Sequence, residues 1–98
     1  MDASATVPAL GQVATEMRAR LDAALSPTAL TLIDESAHHA GHSGHDERGE
    51  SHFALEIESA AFAGKARVAR QRLVYAALGE LMQERVHALT IRARAPGE

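Results

Sequence analysis

Six histidines carry the chemistry this chain could do. His38, His39, His42 and His45 fall within eight residues, while His52 and His87 each stand at the start of a short alternating segment. Neutral imidazole is the commonest protein metal ligand and suits zinc, copper, iron and nickel. A histidine on a loop can swing toward one fixed at a strand, which gives two nitrogen donors and leaves coordination positions open. His42 and His45 read more simply as solvated residues of a Gly/His loop that collects stray divalent ions, and His52 as a packed or surface strand residue. His87 shares a side with Leu89 and Ile91 but stands first, where a side chain reaches the rim, so it is either a satisfied histidine or a ligand. The chain has no cysteine, which excludes a disulfide framework, a thiol nucleophile and any thiolate-only cluster site of its own. Asp34 and Glu35 are adjacent on one extended segment and point to opposite faces, so they are no acid/base pair. Gly41-His42-Ser43-Gly44-His45 lacks the last glycine of a nucleophile elbow, and no phosphate loop or dinucleotide fingerprint occurs. The sequence does not read as an enzyme.

A second feature is basic. Lys65, Arg67, Arg70 and Arg72 lie within eight residues of a chain whose formal net charge is −3. Several guanidinium groups on a short helix and the turn after it could meet phosphates, as in helix-turn-helix docking on DNA. The net charge makes such binding weak and steeply salt-sensitive, so composition alone favours a solvated helix start. With Phe53, Phe62 and Tyr75 as the only aromatics, base stacking on single strands has little to work with.

The elements that position these residues follow from periodicity. Residues 1–6 are small and polar and are expected to be disordered. A helix starts near Val7, with Leu10, Val13, Ala14, Met17, Leu21 and Ala24 on one arc, and stops at Ser26-Pro27. Ala29 to Glu35 reads as a strand, Ser36 to Glu50 as a long loop, and His52 to Ser59 as a half-buried strand with Phe53, Leu55 and Ile57 inward. Phe62-Ala-Gly-Lys makes a turn in which Gly64 is free to take a positive φ. Helical pattern fills Ala66 to Arg85. One continuous helix there would place Arg67 and Gln71 on the apolar face and leave Leu73 off it, so a break near Arg70 to Arg72 is expected. Val86 to Arg92 is the third strand, and 94–98 a tail.

The order α-β-β-α-α-β over residues 7–93 describes one α+β domain with a three-stranded sheet and helices on one face. Type II KH domains share this order, but the GXXG loop that clamps nucleic acid backbone is missing, since 64–72 reads GKARVARQR. No apolar run approaches the ~18 residues of a membrane span and no signal pattern opens the chain, so a soluble cytoplasmic domain is expected.

The segments DESAHH (34–39), ESHF (50–53), FAGKARVARQRLVYAAL (62–78) and VHALTIRARAP (86–96) together resemble the BolA family, over about residues 10–96. That resemblance implies a BolA-like, type II KH-like fold and a non-enzymatic partner of monothiol glutaredoxins. It further implies a heterodimer with a bridging 2Fe–2S cluster, for which the glutaredoxin cysteine and glutathione supply sulfur and the BolA-like chain supplies histidine. The family's histidine before the last strand corresponds to His87, and its loop ligand corresponds best to His39. The loop is several residues longer than the usual HxxxxGSESHF form, which leaves His38, His42 and His45 as alternative loop ligands. No cluster is expected in the isolated chain. The family is also linked to transcriptional regulation through a helix-turn-helix-like surface, which here would use Lys65, Arg67, Arg70 and Arg72 on DNA. Gln71 stands where the family commonly has histidine in an RHRLVY block. Neither a membrane nor a small-molecule substrate is implied.

Overall fold

A computed structural model describes residues 11–35 and 51–98. The expected disorder of residues 1–6, the helix start at Val7 and the segment 36–50 lie outside the described residues. Helix α1 spans Gln12–Leu25 and is followed by β1, Ala29–Asp34. Strand β2 is His52–Glu58, and a 3-10 turn covers Ala60–Phe62. Helices α2 (Arg67–Leu78) and α3 (Leu81–Glu84) precede β3, Ala88–Arg94. The sheet runs β1-β2-β3, antiparallel between β1 and β2 and parallel between β2 and β3. A parallel return needs a crossover, which α2 and α3 provide.

Val13, Met17, Leu21 and Leu25 recur every fourth residue of α1 and are all buried, so the apolar arc ends on Leu25 rather than on the exposed Ala24. They meet Phe53, Leu55 and Ile57 of β2, Phe62, and Val74 and Leu78 of α2 in one core. Each such side chain contributes about 1.5–3 kcal/mol on burial. The helices therefore cover one face of the sheet. Ile33, Glu56, Thr90 and Arg92 are exposed on the other. Helix α1 stops where Ser26 turns left-handed at φ 45°, its N–H reaching the Asp22 carbonyl, with Pro27 blocking further helix. The buried Ser59 hydroxyl donates to the Leu25 carbonyl and accepts from the Ala61 N–H, which ties the end of α1 to the end of β2.

The break in the second helical region falls at Gly79, and α2 runs unbroken through Arg70, Gln71 and Arg72. Its first turns lie along the rim of the sheet, where a long polar side chain can keep its stem against protein and its head group elsewhere. Leu73, read as off the apolar face, packs half-buried against the core. Gly79 adopts φ 57° and ψ −129°, which any residue with a Cβ reaches only at a cost. The Arg20 guanidinium donates to the Leu78 carbonyl at 2.9 Å, capping the end of α2, and a Cβ on Gly79 would meet its Nη1 at 3.3 Å. Gly79→Ala is expected to cost about 1–3 kcal/mol. A thermal melt should show the midpoint lowered by several degrees with an unchanged far-ultraviolet circular dichroism (CD) spectrum. Gly64 takes its expected positive φ, 75°. Strand β3 lies two residues beyond the expected Val86–Arg92, and the segment after it is tied down, with Ala95 buried and the Glu98 side chain bonded to Arg70.

Candidate functional site

One end of the sheet gathers His52, His87 and the residues that flank the 36–50 segment. Asp34 at the end of β1 pairs with Phe53, and His52 at the start of β2 pairs with Ala88 at the start of β3. The Glu35 N–H donates to the His52 carbonyl at 2.7 Å, so the connection from β1 leaves and rejoins the ladder at this same end. His87 immediately precedes β3. Its N–H donates to the Ser51 carbonyl at 2.7 Å, and the Ala88 N–H reaches the same oxygen at 3.2 Å. Ser51 is fully buried, and Val86, on the other side of His87, is buried in the core. The backbone of His87 is therefore pinned between two anchors while its side chain is exposed. That combination suits a ligand offered to something outside the domain.

His52 is the residue that sequence reasoning passed over. Its ring lies 6.1 Å from that of His87, centroid to centroid, in an edge-on arrangement with an interplanar angle of 71°. The Ser51 hydroxyl stands 3.0 Å from His52 Nδ1 and orients the ring. The signal was available in the chain order: a two-helix crossover makes β2 and β3 parallel, which puts both strand openings, and both histidines, at one end. His38, His39, His42 and His45 lie outside the described residues. Among the described residues no three His, Cys, Asp or Glu side chains converge as a metal site. What the fold brings together here is a pair of imidazoles, a nitrogen-only and incomplete donor set.

The basic quartet divides. Arg67 and Arg70 line a groove of about 440 Å³ between α2 and β3, together with Arg92 and Arg94, whereas Lys65 and Arg72 are exposed and do not line it. Arg70 is turned inward: Nε donates to the Lys65 carbonyl at 2.8 Å, Nη1 to the Ala93 carbonyl at 3.1 Å, and both terminal nitrogens to the Glu98 carboxylate at 2.6 and 2.7 Å. Glu98 also accepts the Ala95 N–H at 3.0 Å. The Arg70 hydrogen bonds, with the Ala95 N–H behind them, hold its carboxyl at about 2, against 4.5 for an ordinary glutamate. A lowered carboxylate stabilises the fold above the ordinary range and loses that contribution as pH falls toward the lowered value. The Glu98–Arg70 contact is thus present at neutral pH and lost only as pH falls through about 2. A carbon-13 titration of the Glu98 carboxyl should show that midpoint, and Arg70→Gln should return it toward 4.5.

The family model for BolA-like proteins matches residues 21–98. The chain belongs to the BolA family. Human BolA-like protein 1 is 42% identical to this BolA-family chain over 95 residues, which are 97% of the chain and 66% of the human protein. SufE-like protein 1 of Arabidopsis thaliana, named chloroplastic/mitochondrial, is 39% identical over 101 residues, 99% of the chain but 27% of that protein. The chain therefore spans just under two thirds of the first relative and about a quarter of the second. The solved BolA domain of Arabidopsis SufE1 superimposes with a TM-score of 0.78 at 42% identity, over 88% of this chain and 94% of that one. Mouse BolA1 gives 0.73 at 42% identity, over 88% of this chain and 67% of that one. The α+β fold with its mixed three-stranded sheet is thus a BolA fold. No helix among the described residues is long and apolar enough to cross a membrane.

Proposed function

We propose that this BolA-family chain binds a monothiol glutaredoxin and co-ligates a bridging 2Fe–2S cluster, as a non-enzymatic carrier in cluster trafficking or iron sensing. The observation that supports this most is His87: an exposed ring on a backbone pinned to Ser51, at the sheet end where the 36–50 connection begins and ends. The donor chemistry fits. Histidine replaces cysteine on one iron of some 2Fe–2S centres, and a chain without cysteine can offer such nitrogens while the thiolates come from its partner and glutathione. The cluster is cargo held at the contact. His87 is one donor. The second is a loop histidine, with His39 first and His38, His42 and His45 behind it, and His52 enters as a further candidate because its ring already lies beside that of His87. His39 is four residues past Glu35, a tether that spans at most about 14 Å. Ile33, 51% exposed on the uncovered sheet face, pairs with Ala54 two residues from His52 and offers an apolar contact to the partner beside the histidines.

Duplex DNA binding through Lys65, Arg67, Arg70 and Arg72 receives less support, because the four do not share one groove and the chain's net charge is −3. The test is an anaerobic titration of this chain into a cluster-loaded monothiol glutaredoxin with glutathione, followed by visible CD. A spectrum that changes and saturates at equimolar chain bears the reading out. A flat titration overturns it.

A further inference from the structure

Strand β3 is an edge of the sheet. The Ala88 N–H bonds to Ser51 and the Arg94 carbonyl accepts from Ser59, so the even-numbered residues of β3 face β2. In a parallel ladder alternate residues bond to opposite sides. The N–H and C=O groups of Leu89, Ile91 and Ala93 therefore face outward, and Arg70 reaches the Ala93 carbonyl from that side. No described strand pairs with this edge. The same edge borders the groove lined by Arg67, Arg70, Arg92 and Arg94, whose floor includes Ile91 and Ala93. Arg92 and Arg94 lie 3.9 and 3.3 Å from Glu56 and Glu58 and Arg70 is held by Glu98, so an incoming acid would meet Arg67 first and would have to displace Glu98 to reach Arg70. Arg70 already holds a carboxylate, that of Glu98, in a two-pronged grip completed by a backbone N–H.

We propose that this groove is a docking site for an acidic, extended polypeptide segment of a partner, which pairs with the outer edge of β3 and seats a carboxylate on Arg70 in place of Glu98. Backbone pairing supplies affinity in such strand addition and side-chain pockets supply selectivity. Here the arginines supply the selectivity: positive charge along the edge repels basic strands and favours acidic ones over uncharged ones. Glu98 is the internal stand-in. It shows that the seat takes a carboxylate, and it occupies that seat until a competitor displaces it. No histidine among the described residues lines the groove, so the seat on Arg70 stands or falls independently of their role.

A fluorescein-labelled peptide alternating Glu and Val, followed by fluorescence anisotropy at physiological salt, tests this. The full chain should bind it at least about tenfold more tightly than the matching Lys/Val peptide or the same Glu/Val peptide N-methylated at alternate backbone nitrogens, a gap of about 1.4 kcal/mol or more. Glu98→Gln should tighten binding several-fold by removing the internal competitor, and Arg67→Glu should weaken it. His87→Ala should leave the isotherm unchanged. Equal binding of the methylated peptide would reduce the groove to a diffuse charge effect and overturn the proposal. So would a short DNA duplex displacing the peptide at equal concentration, or an affinity unmoved by Glu98→Gln in a chain whose far-ultraviolet CD is intact.

Discussion

On the function proposed above, His87→Ala should leave a folded domain that no longer holds a cluster with a monothiol glutaredoxin. Its ring is exposed and takes no part in the buried core, so the substitution should change stability by no more than about 0.5 kcal/mol. The two N–H bonds that fix this corner come from the backbones of residues 87 and 88 and survive in the variant. Losing only a residue that orients a ligand typically weakens metal binding about 10–100-fold, and losing the ligand itself should do at least as much. The expected result is a shared cluster whose visible CD signal is absent or decays at least about tenfold faster, with an unchanged thermal midpoint. His39→Ala and His52→Ala, measured alongside, rank the candidates for the second donor. A cluster spectrum and lifetime in His87→Ala equal to those of the unaltered chain would remove His87 from the ligand set.

Phe53→Ala should do the opposite, sparing every candidate donor and removing what holds them in place. Phe53 is 1% exposed, pairs with Asp34 on one side and Leu89 on the other, and follows His52 directly. Truncating a buried phenylalanine costs about 3–5 kcal/mol. A domain of this size has about 5–15 kcal/mol in total, so the loss is a large part of the whole. Each kcal/mol moves the midpoint of a small domain by about 4–8 °C, which puts the expected fall at about 12 °C or more. Phe53→Leu, which keeps most of the volume, should fall by only a few degrees. A thermal melt of Phe53→Ala within about 5 °C of the unaltered chain would mean that this end of the sheet is held by something other than its aromatic anchor.

The alternation of Phe53, Leu55 and Ile57 and the four-residue spacing in α1 were legible because each element buries one face against a single partner layer. The break in the second helical region was not. A polar residue on the apolar side of a helix reads as an interruption only if that side is covered along its whole length, and at Arg67 and Gln71 it borders the groove instead. The true stop, Gly79, is one residue in a helical run, and its φ and ψ are invisible to periodicity. His87 was legible as a strand-opening histidine; its proximity to His52 needed the parallel register. The Arg70–Glu98 grip spans 28 residues of sequence, and no local pattern announces a contact of that range.

The connection between β1 and β2 has a consequence for how such a domain can diversify. Six paired positions from Ala29 with Glu58 to Asp34 with Phe53 set the register, so the strands do not rely on a tight turn to align them. Closing a longer chain between fixed ends costs little, about 0.6 kcal/mol for each doubling of length. The register of β1 and β2 therefore does not depend on the length of the segment that joins them. A lineage can lengthen the segment, add histidines or exchange one donor for another without renegotiating the core. His87 has no such latitude, because it is locked to the frame through Ser51. On the proposed function, one donor would then be fixed by the architecture while the other lies in a segment whose length the strand register does not constrain.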